Sequence, residues 1–237
     1  MYLKFQKLQD MYGVCLLTAI PMRCGASDKS EMTNQVLYGE TFDILLQEEK
    51  WSKIRLHHDQ YEGWIDNKQY QKTTKKVKNK YICNRRLIAA KQLILPLGAF
   101  VDFEVIPNKK TIIDTAKSLL NTPYLWGGRT CFGIDCSGFT QIIFRVHHIS
   151  IPRDAYQQAT TGNSIQFTEI QNGDLAFFAN LDGRIIHVGI LIHNKKNIQI
   201  IHASGKVRID ILDEKGIYNQ ETSSYTHQLH SIRRIIK

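Results

Sequence analysis

The residues best suited to covalent chemistry surround one cysteine in the second half of the sequence. Apolar residues follow it at helical spacing, at Phe139, Ile142, Ile143 and Val146. This spacing places Cys136 on the first turn of an amphipathic helix, where unpaired backbone N–H groups and the positive end of the helix dipole favour a thiolate. Gly127, Gly128 and Gly138 are expected to leave space beside the thiol for a substrate backbone. The pattern predicts a nucleophilic cysteine with a lowered pKa.

A thiolate nucleophile needs a base, usually a histidine held by a third group. Two neighbouring segments have the composition of hairpin strands, Ile185–Ile192 and Asn197–Ala203. A loop formed by Asn194-Lys195, or by His193–Lys196, puts His187 directly opposite His202, with Cβ atoms about 4.5–5.5 Å apart. One imidazole would then orient the other. An odd-length loop would place them on opposite faces, and two unrelated histidines remain the alternative.

Other kinds of reactive site have little support in the sequence. Cys131 and Cys136 have C-x4-C spacing without a second cysteine pair, so a metal site is not expected. The remaining cysteines are interpreted as structural, and they are Cys15, Cys24 and Cys83. His227 and His230 are assigned to a C-terminal tail without a predicted role. The sequence has no carboxylate pair of the glycosidase type, P-loop, Gly-x-Ser-x-Gly elbow or His-Glu-x-x-His motif.

Composition limits the class of protein. The 237 residues are 43% hydrophobic and 22% charged, as in ordinary globular chains, and the formal net charge is +9. Nine basic residues lie in the run from Lys68 to Lys91, and no acidic residue lies between Asp66 and Asp102, so this run accounts for the whole excess. We interpret it as a solvated domain junction. A nucleic-acid surface would spread its basic residues over one face, among aromatic side chains.

The sequence also bears on targeting. It has no apolar run of 18 residues, so neither a transmembrane helix nor a membrane partner is expected. The apolar stretch Val14–Ile20 is at the short limit for a signal peptide, and Pro21-Met22-Arg23 does not resemble a cleavage site, so a first β-strand is predicted instead. An odd number of cysteines, five, favours reduced thiols and a cytoplasmic location. Removal of a leader from a longer precursor stays open.

The elements around these residues are of two kinds. Short strand-like segments in the first 70 residues predict a small barrel, and they are Val14–Ile20, Gln35–Leu37, Thr41–Leu46, Trp51–Leu56 and Glu62–Asp66. Trp51 and Trp64 are assigned to its core. Residues 71–106 are again β-like. After Pro107 the pattern is α+β, with a helix over Thr111–Asn121, then the helix of Cys136, and an antiparallel sheet after it.

A family resemblance touches most of the chain. Over residues 108–205 four blocks resemble the NlpC/P60 family of papain-like cysteine peptidases, and they are Trp126-Gly127-Gly128, Asp135-Cys136-Ser137-Gly138-Phe139, His187-Val188-Gly189-Ile190 and Ile201-His202-Ala203. Upstream blocks resemble bacterial SH3-like modules, namely Leu37-Tyr38-Gly39-Glu40, Trp51-Ser52-Lys53-Ile54, Tyr61-Glu62-Gly63-Trp64-Ile65 and, as a second and shorter module, Leu95-Pro96-Leu97-Gly98-Ala99-Phe100. The resemblance implies an α+β, papain-like catalytic domain at residues 108–237. Two small all-β SH3-like barrels would precede it, at residues 1–70 and 71–107, the second one reduced.

The resemblance implies catalytic roles for four residues. Cys136 is expected to be the nucleophile, His187 the general base and acid, and His202 the group that orients His187. Tyr124 matches the family tyrosine whose hydroxyl lies near the oxyanion site. The implied reaction is hydrolysis of the amide between γ-D-glutamate and a diamino acid in the stem peptides of bacterial cell walls (murein). It requires no metal and no organic cofactor.

The resemblance also implies a set of substrate-binding residues, namely Glu31, Tyr61, Asp135, Ser137, Arg153 and Asp154. The first two would bind the free amine of the substrate, the next two would lie near its N-terminal L-alanine, and the last two would contact the peptide. A buried carboxylate that receives an ammonium group rejects substrates without one, because it would be left unpaired. The expected substrate is therefore a released L-Ala-γ-D-Glu-diamino acid peptide and not intact murein.

Two other functions stay open from the sequence. An amidase or acyltransferase on the same catalytic scaffold would use the same Cys-His-His site. A non-catalytic cell-wall-binding protein would use the SH3-like modules alone, although the intact Cys136, His187 and His202 argue against it. A monomer without nucleic-acid or membrane partners is expected.

Overall fold

The computed structural model describes residues 11–74, 81–107, 109–194 and 197–236. The chain divides into two units, Met1–Ile106 and Pro107–Lys237. No helix within the described ranges is long and apolar enough to span a bilayer. Parts of two sequence-based predictions lie outside the described residues, namely Lys75, Lys76, Lys78 and Lys80 of the basic run and Lys195 and Lys196 of the predicted hairpin loop.

The first unit is built from short strands. In chain order they are β1 (Tyr12–Val14), β2 (Ala19–Arg23), β3 (Met32–Leu37), β4 (Thr41–Gln47), β5 (Trp51–Leu56), β6 (Glu62–Asp66), β7 (Gln71–Thr73), β8 (Tyr81–Ile82), β9 (Leu87–Ile88), β10 (Ile94–Leu95) and β11 (Phe100–Val101). The first seven form one antiparallel sheet in the order β3-β2-β6-β5-β4-β1-β7. A single 3-10 turn at Ala90–Gln92 separates β9 from β10.

Buried and half-buried side chains alternate along these strands, and the buried ones form the core of this sheet. In β5, Ser52, Ile54 and Leu56 are buried while the residues between them are only half-buried. Trp51 and Trp64 both occupy the half-buried positions, so their assignment to the barrel core was wrong. The single strand predicted over Val14–Ile20 was also wrong, because the chain leaves β1 at Cys15 and enters β2 only at Ala19.

Residues 81–106 form a smaller structure. β8 pairs with β11 and β9 pairs with β10, each as a two-stranded antiparallel ladder. Cys83, Leu95, Ala99 and Val101 make a small apolar cluster of their own. The described part of this segment shows two ladders and no closed barrel, so the second SH3-like module and the boundary at residue 70 stay predictions.

The second unit combines three helices with an antiparallel sheet. Its elements are α1 (Ile112–Lys117), β12 (Arg129–Thr130), β13 (Gly133–Ile134), α2 (Cys136–Val146), α3 (Ala155–Gln158), β14 (Asn163–Ser164), a 3-10 turn (Phe167–Glu169), β15 (Leu175–Ala179), β16 (Ile185–His193), β17 (Ile198–Ser204), β18 (Lys206–Asp213), β19 (Gly216–Asn219) and β20 (Ser224–Arg234). The large sheet has the order β14-β20-β15-β16-β17-β18-β19. β20 also pairs with β19, so the strands from β15 to β20 close on themselves.

One face of this closed sheet carries both the core and a set of polar residues. Its buried apolar cluster includes Phe178, Leu191, Ile200 and Ile217. Because cross-strand partners share a face, the pairing of Phe178 with His187 and of Ile217 with His227 places both histidines on that face. The predicted C-terminal tail is in fact the long strand β20, so the assignment of His227 to an unremarkable tail was wrong.

The two predicted helices are present, whereas α3 was not predicted. α2 begins at Cys136, as predicted, ends at Val146 and packs against β16 and β17. The first helix is shorter than the predicted span of Thr111–Asn121, because Thr111 caps it through a capping box with Asp114 and the helix ends at Lys117. α2 therefore brings its N-terminus, and the cysteine there, to the sheet.

Candidate active site

Asp135 holds the first turn of α2 together with the loop before it. Its carboxylate accepts hydrogen bonds from the Gly138 N–H at 2.6 Å and from the Gly127 N–H at 2.9 Å. Cys136 is consequently the first residue of the helix, and it is only 6% exposed. The backbone N–H groups of Ser137 and Val188 donate hydrogen bonds to its sulfur. The thiol therefore lies against β16, at the residue that follows His187.

The glycines near the thiol allow close packing of the protein itself. A Cβ at Gly138 would lie 2.5 Å from the carbonyl oxygen of Gly128, and a Cβ at Gly128 would lie 2.4 Å from the carbonyl oxygen of Gly133. Gly127 has a φ of +75°, which side-chain-bearing residues rarely adopt. Protein backbone fills the space beside Gly128 and Gly138, so the expectation that these two glycines leave room for a substrate was wrong.

The pKa of Cys136 moves in the direction opposite to the one predicted. Burial raises it to about 12, and the neighbouring Asp135 carboxylate raises it further. The N–H groups of Val188 and Ser137 and the charge of Arg153 lower it by less. The prediction considered the helix terminus and omitted the buried carboxylate that caps it. Cys136 therefore rests as a neutral thiol near neutral pH.

His187 and His202 form a direct hydrogen bond, with 2.7 Å between Nε2 of His187 and Nδ1 of His202. Both are buried, with exposures of 5% and 1%. The predicted register was wrong by two residues, because His193 pairs with Ile198. Four residues, an even number, separate these two positions, so the two histidines share a face and meet diagonally.

The residue directly opposite His202 is Gly189. A Cβ at this position would lie 2.8 Å from Cβ of His202 and 2.6 Å from Cδ1 of Ile200. No side chain therefore separates His202 from His187, which precedes Gly189 by two residues. The glycine in the His187-Val188-Gly189-Ile190 block thus explains how a diagonal pair can make so short a hydrogen bond.

A buried carboxylate that the sequence reasoning missed continues the chain of hydrogen bonds. Nε2 of His202 lies 2.9 Å from Oδ2 of Asp210, which is 5% exposed. Arg208 approaches the same carboxylate with Nε at 2.8 Å from Oδ2 and a terminal nitrogen at 2.9 Å from Oδ1. The signal available in the sequence was the turn at Gly205, which sets the pairing of His202 with Arg208 and brings Asp210 to the same face.

A third histidine, also missed from the sequence, stacks on His187. The ring centroids of His187 and His227 are 4.3 Å apart and the planes are inclined by 27°. Burial, followed by the charges of His202 and His227, lowers the pKa of His187 well below its ordinary value. Burial, followed by His202, lowers the pKa of His227 to about 4. Both rings are therefore neutral near pH 7.

Tyr124 lies beside the thiol on the loop that precedes α2. Its N–H donates to the carbonyl oxygen of Gly205 at 2.9 Å, which ties the loop to the turn between β17 and β18. Burial raises the pKa of Tyr124, and electrostatic interactions with the Cys136 and Asp135 side chains raise it further. The phenol therefore keeps its proton and can donate a hydrogen bond to an oxyanion formed near Cys136.

The other predicted substrate-binding residues of the second unit surround Asp135. The guanidinium of Arg153 donates to Oδ1 of Asp135 at 3.0 Å, to Oδ2 at 2.5 Å, and to the Ser137 hydroxyl at 2.8 Å. Asp135, Ser137 and Arg153 are all buried, so their described contacts hold the α2 terminus from within. Asp154, half-buried, precedes α3.

The two predicted residues of the first unit have different surroundings. Glu31 is exposed, just before β3, and its carbonyl oxygen accepts from the Cys24 N–H at 3.0 Å. Tyr61 is half-buried and packs against the apolar core of the first sheet, just before β6.

All five cysteines carry free thiols. In the described parts of the chain, no group of three or more His, Cys, Asp or Glu side chains is arranged to hold a metal ion. Cys131 is half-buried and lies in the turn between β12 and β13.

Comparisons with known proteins match two parts of the chain. The NlpC/P60 family profile matches residues 121–227, and the profile of the bacterial dipeptidyl-peptidase Sh3 domain matches residues 22–69. Two gamma-D-glutamyl-L-lysine dipeptidyl-peptidases, from Bacillus subtilis (strain 168) and Bacillus cereus (strain ATCC 10987 / NRS 248), are 41% and 38% identical over 112 residues. These matches cover 46% of this chain in each case, and 38% and 34% of the relatives. The chain therefore spans little more than a third of their length.

A solved structure supports the fold over most of the chain. An NlpC/P60 endopeptidase from Photobacterium damselae subsp. piscicida aligns with a TM-score of 0.61 at 14% identity. The alignment covers 93% of this chain and 70% of that one, and at this identity it shows a shared fold only. The chain therefore contains an NlpC/P60 domain at residues 121–227 and a bacterial SH3 domain at residues 22–69.

Proposed function

We propose that this protein hydrolyses the amide bond between γ-D-glutamate and a diamino acid in murein stem peptides that have a free N-terminal L-alanine. The observation that carries the proposal is the buried His187–His202 pair beside Cys136 at the N-terminus of α2. The substrate class rests on the Bacillus relatives, which are named gamma-D-glutamyl-L-lysine dipeptidyl-peptidases, and on the Sh3 domain match. The reaction would serve the turnover or recycling of murein peptides in the cytoplasm.

The acylation step begins from two neutral groups. Nε2 of His187 is engaged by His202, so Nδ1 is the ring nitrogen left to take a proton from the Cys136 thiol. As that proton moves to Nδ1, the sulfur bonds to the substrate carbonyl carbon and the carbonyl oxygen becomes an oxyanion. The C–N bond then breaks while the His187 imidazolium returns the proton to the departing amine. A thioester between Cys136 and the γ-carboxyl of D-glutamate remains.

The deacylation step uses the same groups in reverse. Water gives a proton to Nδ1 of His187 as its oxygen bonds to the thioester carbon. The C–S bond breaks, the carboxylic acid leaves, and the proton returns to the Cys136 sulfur. In both steps the Tyr124 hydroxyl and the backbone N–H of Cys136 would donate hydrogen bonds to the oxyanion.

Recognition of the free N-terminus is assigned to a small set of side chains. Glu31 would pair with the ammonium group and Tyr61 would donate or accept a hydrogen bond beside it. Asp154 is the predicted substrate contact of the second unit that is only half-buried. Asp135, Ser137 and Arg153 support the thiol from within, and we propose that the substrate meets them only at the edge of the α2 terminus.

We also interpret residues 71–107 as a second, reduced SH3-like module. The two short ladders and the apolar cluster around Cys83 support this interpretation. Together with the first sheet, the module would belong to the part of the chain that selects the substrate.

A panel of defined peptides tests the proposed function. It contains L-Ala-γ-D-Glu-L-Lys, the corresponding diaminopimelate peptide, longer tetrapeptides, cross-linked peptides, and N-acetylated forms of each. Mass spectrometry should show release of L-Ala-D-Glu from the free-amine peptides, and acetylation should abolish cleavage. Equal turnover of free and acetylated peptides would refute amine recognition. Transfer of the acyl group to an added amine, or cleavage of a different amide only, would favour an acyltransferase or another amidase.

A matched pair of variants separates amine recognition from the chemistry. Glu31→Gln removes the charge that would pair with the ammonium, whereas Asp28→Asn removes an exposed carboxylate from the same connection between β2 and β3. The first should raise KM for free-amine peptides and the second should leave it unchanged. An unaltered KM in Glu31→Gln would refute the assignment of Glu31.

A further inference from the structure

Four polar groups follow one another across three neighbouring strands. His187 lies on β16, His202 on β17, and Arg208 and Asp210 on β18. His202 is opposite Gly189 on one side and opposite Arg208 on the other, so both His187 and Asp210 meet it diagonally. The contacts are 2.7 Å from His187 to His202 and 2.9 Å from His202 to Asp210. This row of side chains ends in the carboxylate of Asp210, which has no role in the proposed acylation and deacylation steps.

The carboxylate at the end of the row determines where the protons lie. An ionised carboxylate only accepts hydrogen bonds, so Nε2 of His202 must carry a proton. With its ring proton on Nε2, His202 has a lone pair on Nδ1, which accepts the proton of Nε2 of His187. Nδ1 of His187 is consequently left as a lone pair. We propose that Asp210 is a positioning residue for the hydrolysis, because its carboxylate fixes the tautomers of His202 and His187 and so keeps Nδ1 of His187 able to accept the thiol proton.

Arg208 keeps Asp210 in the form that this role requires. Its guanidinium reaches both carboxylate oxygens, at 2.8 and 2.9 Å, and also contacts Glu221 at 3.1 Å. Burial alone would raise the pKa of Asp210, but the hydrogen bonds from His202 and Arg208 outweigh it and hold the pKa below its ordinary value. The carboxylate is therefore charged at every pH at which the protein is expected to work.

Tautomer control matters here because the resting site holds no ion pair. With a neutral thiol and a neutral imidazole, attack requires an unprotonated nitrogen available to Cys136. If the proton of His187 were on Nδ1, the ring would have no basic atom for the thiol. A reversed tautomer in a catalytic histidine lowers kcat by up to about four orders of magnitude in serine proteases, whose geometry stays intact. Asp210 acts through His202 and does not touch the substrate.

The role of Asp210 rests on the proposed function, but its test does not depend on the substrate. Long-range ¹H–¹⁵N NMR of the substrate-free protein reports which ring nitrogens carry protons. The wild-type protein should show both histidines protonated at Nε2 and unprotonated at Nδ1. A proton on Nδ1 of His187 in the wild type would overturn the proposal, and this measurement requires no variant to fold. Failure of the wild type to cleave any murein peptide would refute the proposed function and leave the NMR result unaffected.

The variant arm uses Asp210→Asn with Asp213→Asn as its matched control. Asp213 lies on the same strand, and its carboxylate accepts from the backbone N–H groups of Lys215 and Gly216, away from the two catalytic histidines. Asp210→Asn should lower kcat by at least about tenfold with KM within about twofold, and a population of His187 protonated at Nδ1 should appear. Asp213→Asn should change neither. Wild-type kcat and wild-type ring shifts in Asp210→Asn would overturn the proposal.

Discussion

His202 lies directly across the sheet from Gly189, yet its Nδ1 is 2.7 Å from Nε2 of His187. The hydrogen bond therefore runs diagonally between β16 and β17 and passes over a position that has no side chain. This relationship makes the glycine as necessary for the site as the histidines, because any Cβ there would meet the Cβ of His202 at 2.8 Å.

A side chain at residue 189 should separate the two histidines. We expect Gly189→Ala to lower kcat by about a hundredfold, because displacement of a catalytic group by about 1 Å costs roughly that much. Crowding against Ile200 should also lower the free energy of unfolding by about 1–3 kcal/mol. Gly183→Ala is the control, since nothing lies within 4 Å of its Cβ and only its φ of +76° opposes the change. If Gly189→Ala kept wild-type kcat, the diagonal bond would not be needed for activity.

The ring of His227 should set the acid limit of activity. His227 stacks on His187, and its charge adds to the burial and to the effect of His202 that lower the pKa of His187. His227→Phe keeps the stacked ring and removes the titrating group, so the pKa of His187 should rise. Because His187 must be neutral to accept a proton, the acid limb of kcat/KM should move to higher pH. An unchanged pH profile would show that His227 does not influence His187.

The same histidine should make the fold sensitive to acid. The pKa of His227 is about 4 in the folded protein and 6.5 in a free side chain, so the unfolded chain binds the proton more readily. The free energy of unfolding is therefore not reduced by His227 above about pH 6.5, and it decreases as the pH drops toward about 4. Urea unfolding at pH 7 and pH 5 should show a smaller loss in His227→Phe than in the wild type. His230→Phe, an exposed position on the same strand, should behave like the wild type.

Asp135 should affect the reactivity of the thiol and the stability of the fold in opposite ways. Its negative charge raises the pKa of Cys136, so alkylation of Cys136 by iodoacetamide should become faster at lower pH in Asp135→Asn. The variant also leaves the buried Arg153 without its charged partner, which should cost about 3–5 kcal/mol of stability. Slower alkylation of a folded Asp135→Asn protein would show that the cap mainly supports the thiolate.

The parts of the site that depend on local patterns could be predicted from the sequence. The helix at Cys136 follows from apolar spacing within 11 residues and was confirmed. The shared face of His187 and His202 requires only an even number of residues between the two strands, and four residues separate the paired His193 and Ile198. The register itself was wrong by two residues. The predicted register and the observed one both place the two histidines on the same face, so the alternation of apolar and polar residues cannot distinguish them.

The parts that depend on long-range pairing could not be predicted. His227 reaches His187 only because β20 pairs with β19 and β15 and closes the sheet, which brings residues 40 positions apart together. Asp210 required the register of a second hairpin at Gly205. The pKa of Cys136 depends on burial and on the Asp135 carboxylate. The spacing of residues in the sequence does not give the size of either effect. In each case the missing information was which groups become neighbours after the sheet has closed.

The role of Cys136 as the nucleophile can be tested with two cysteine variants and one peptide. Release of the diamino acid from L-Ala-γ-D-Glu-diaminopimelate is measured by mass spectrometry for the wild type, Cys136→Ala and Cys131→Ala. We predict cleavage by the wild type, nearly wild-type cleavage by Cys131→Ala, and none above background by Cys136→Ala. Cleavage by Cys136→Ala within about tenfold of the wild-type rate would contradict the assignment of Cys136 as the nucleophile.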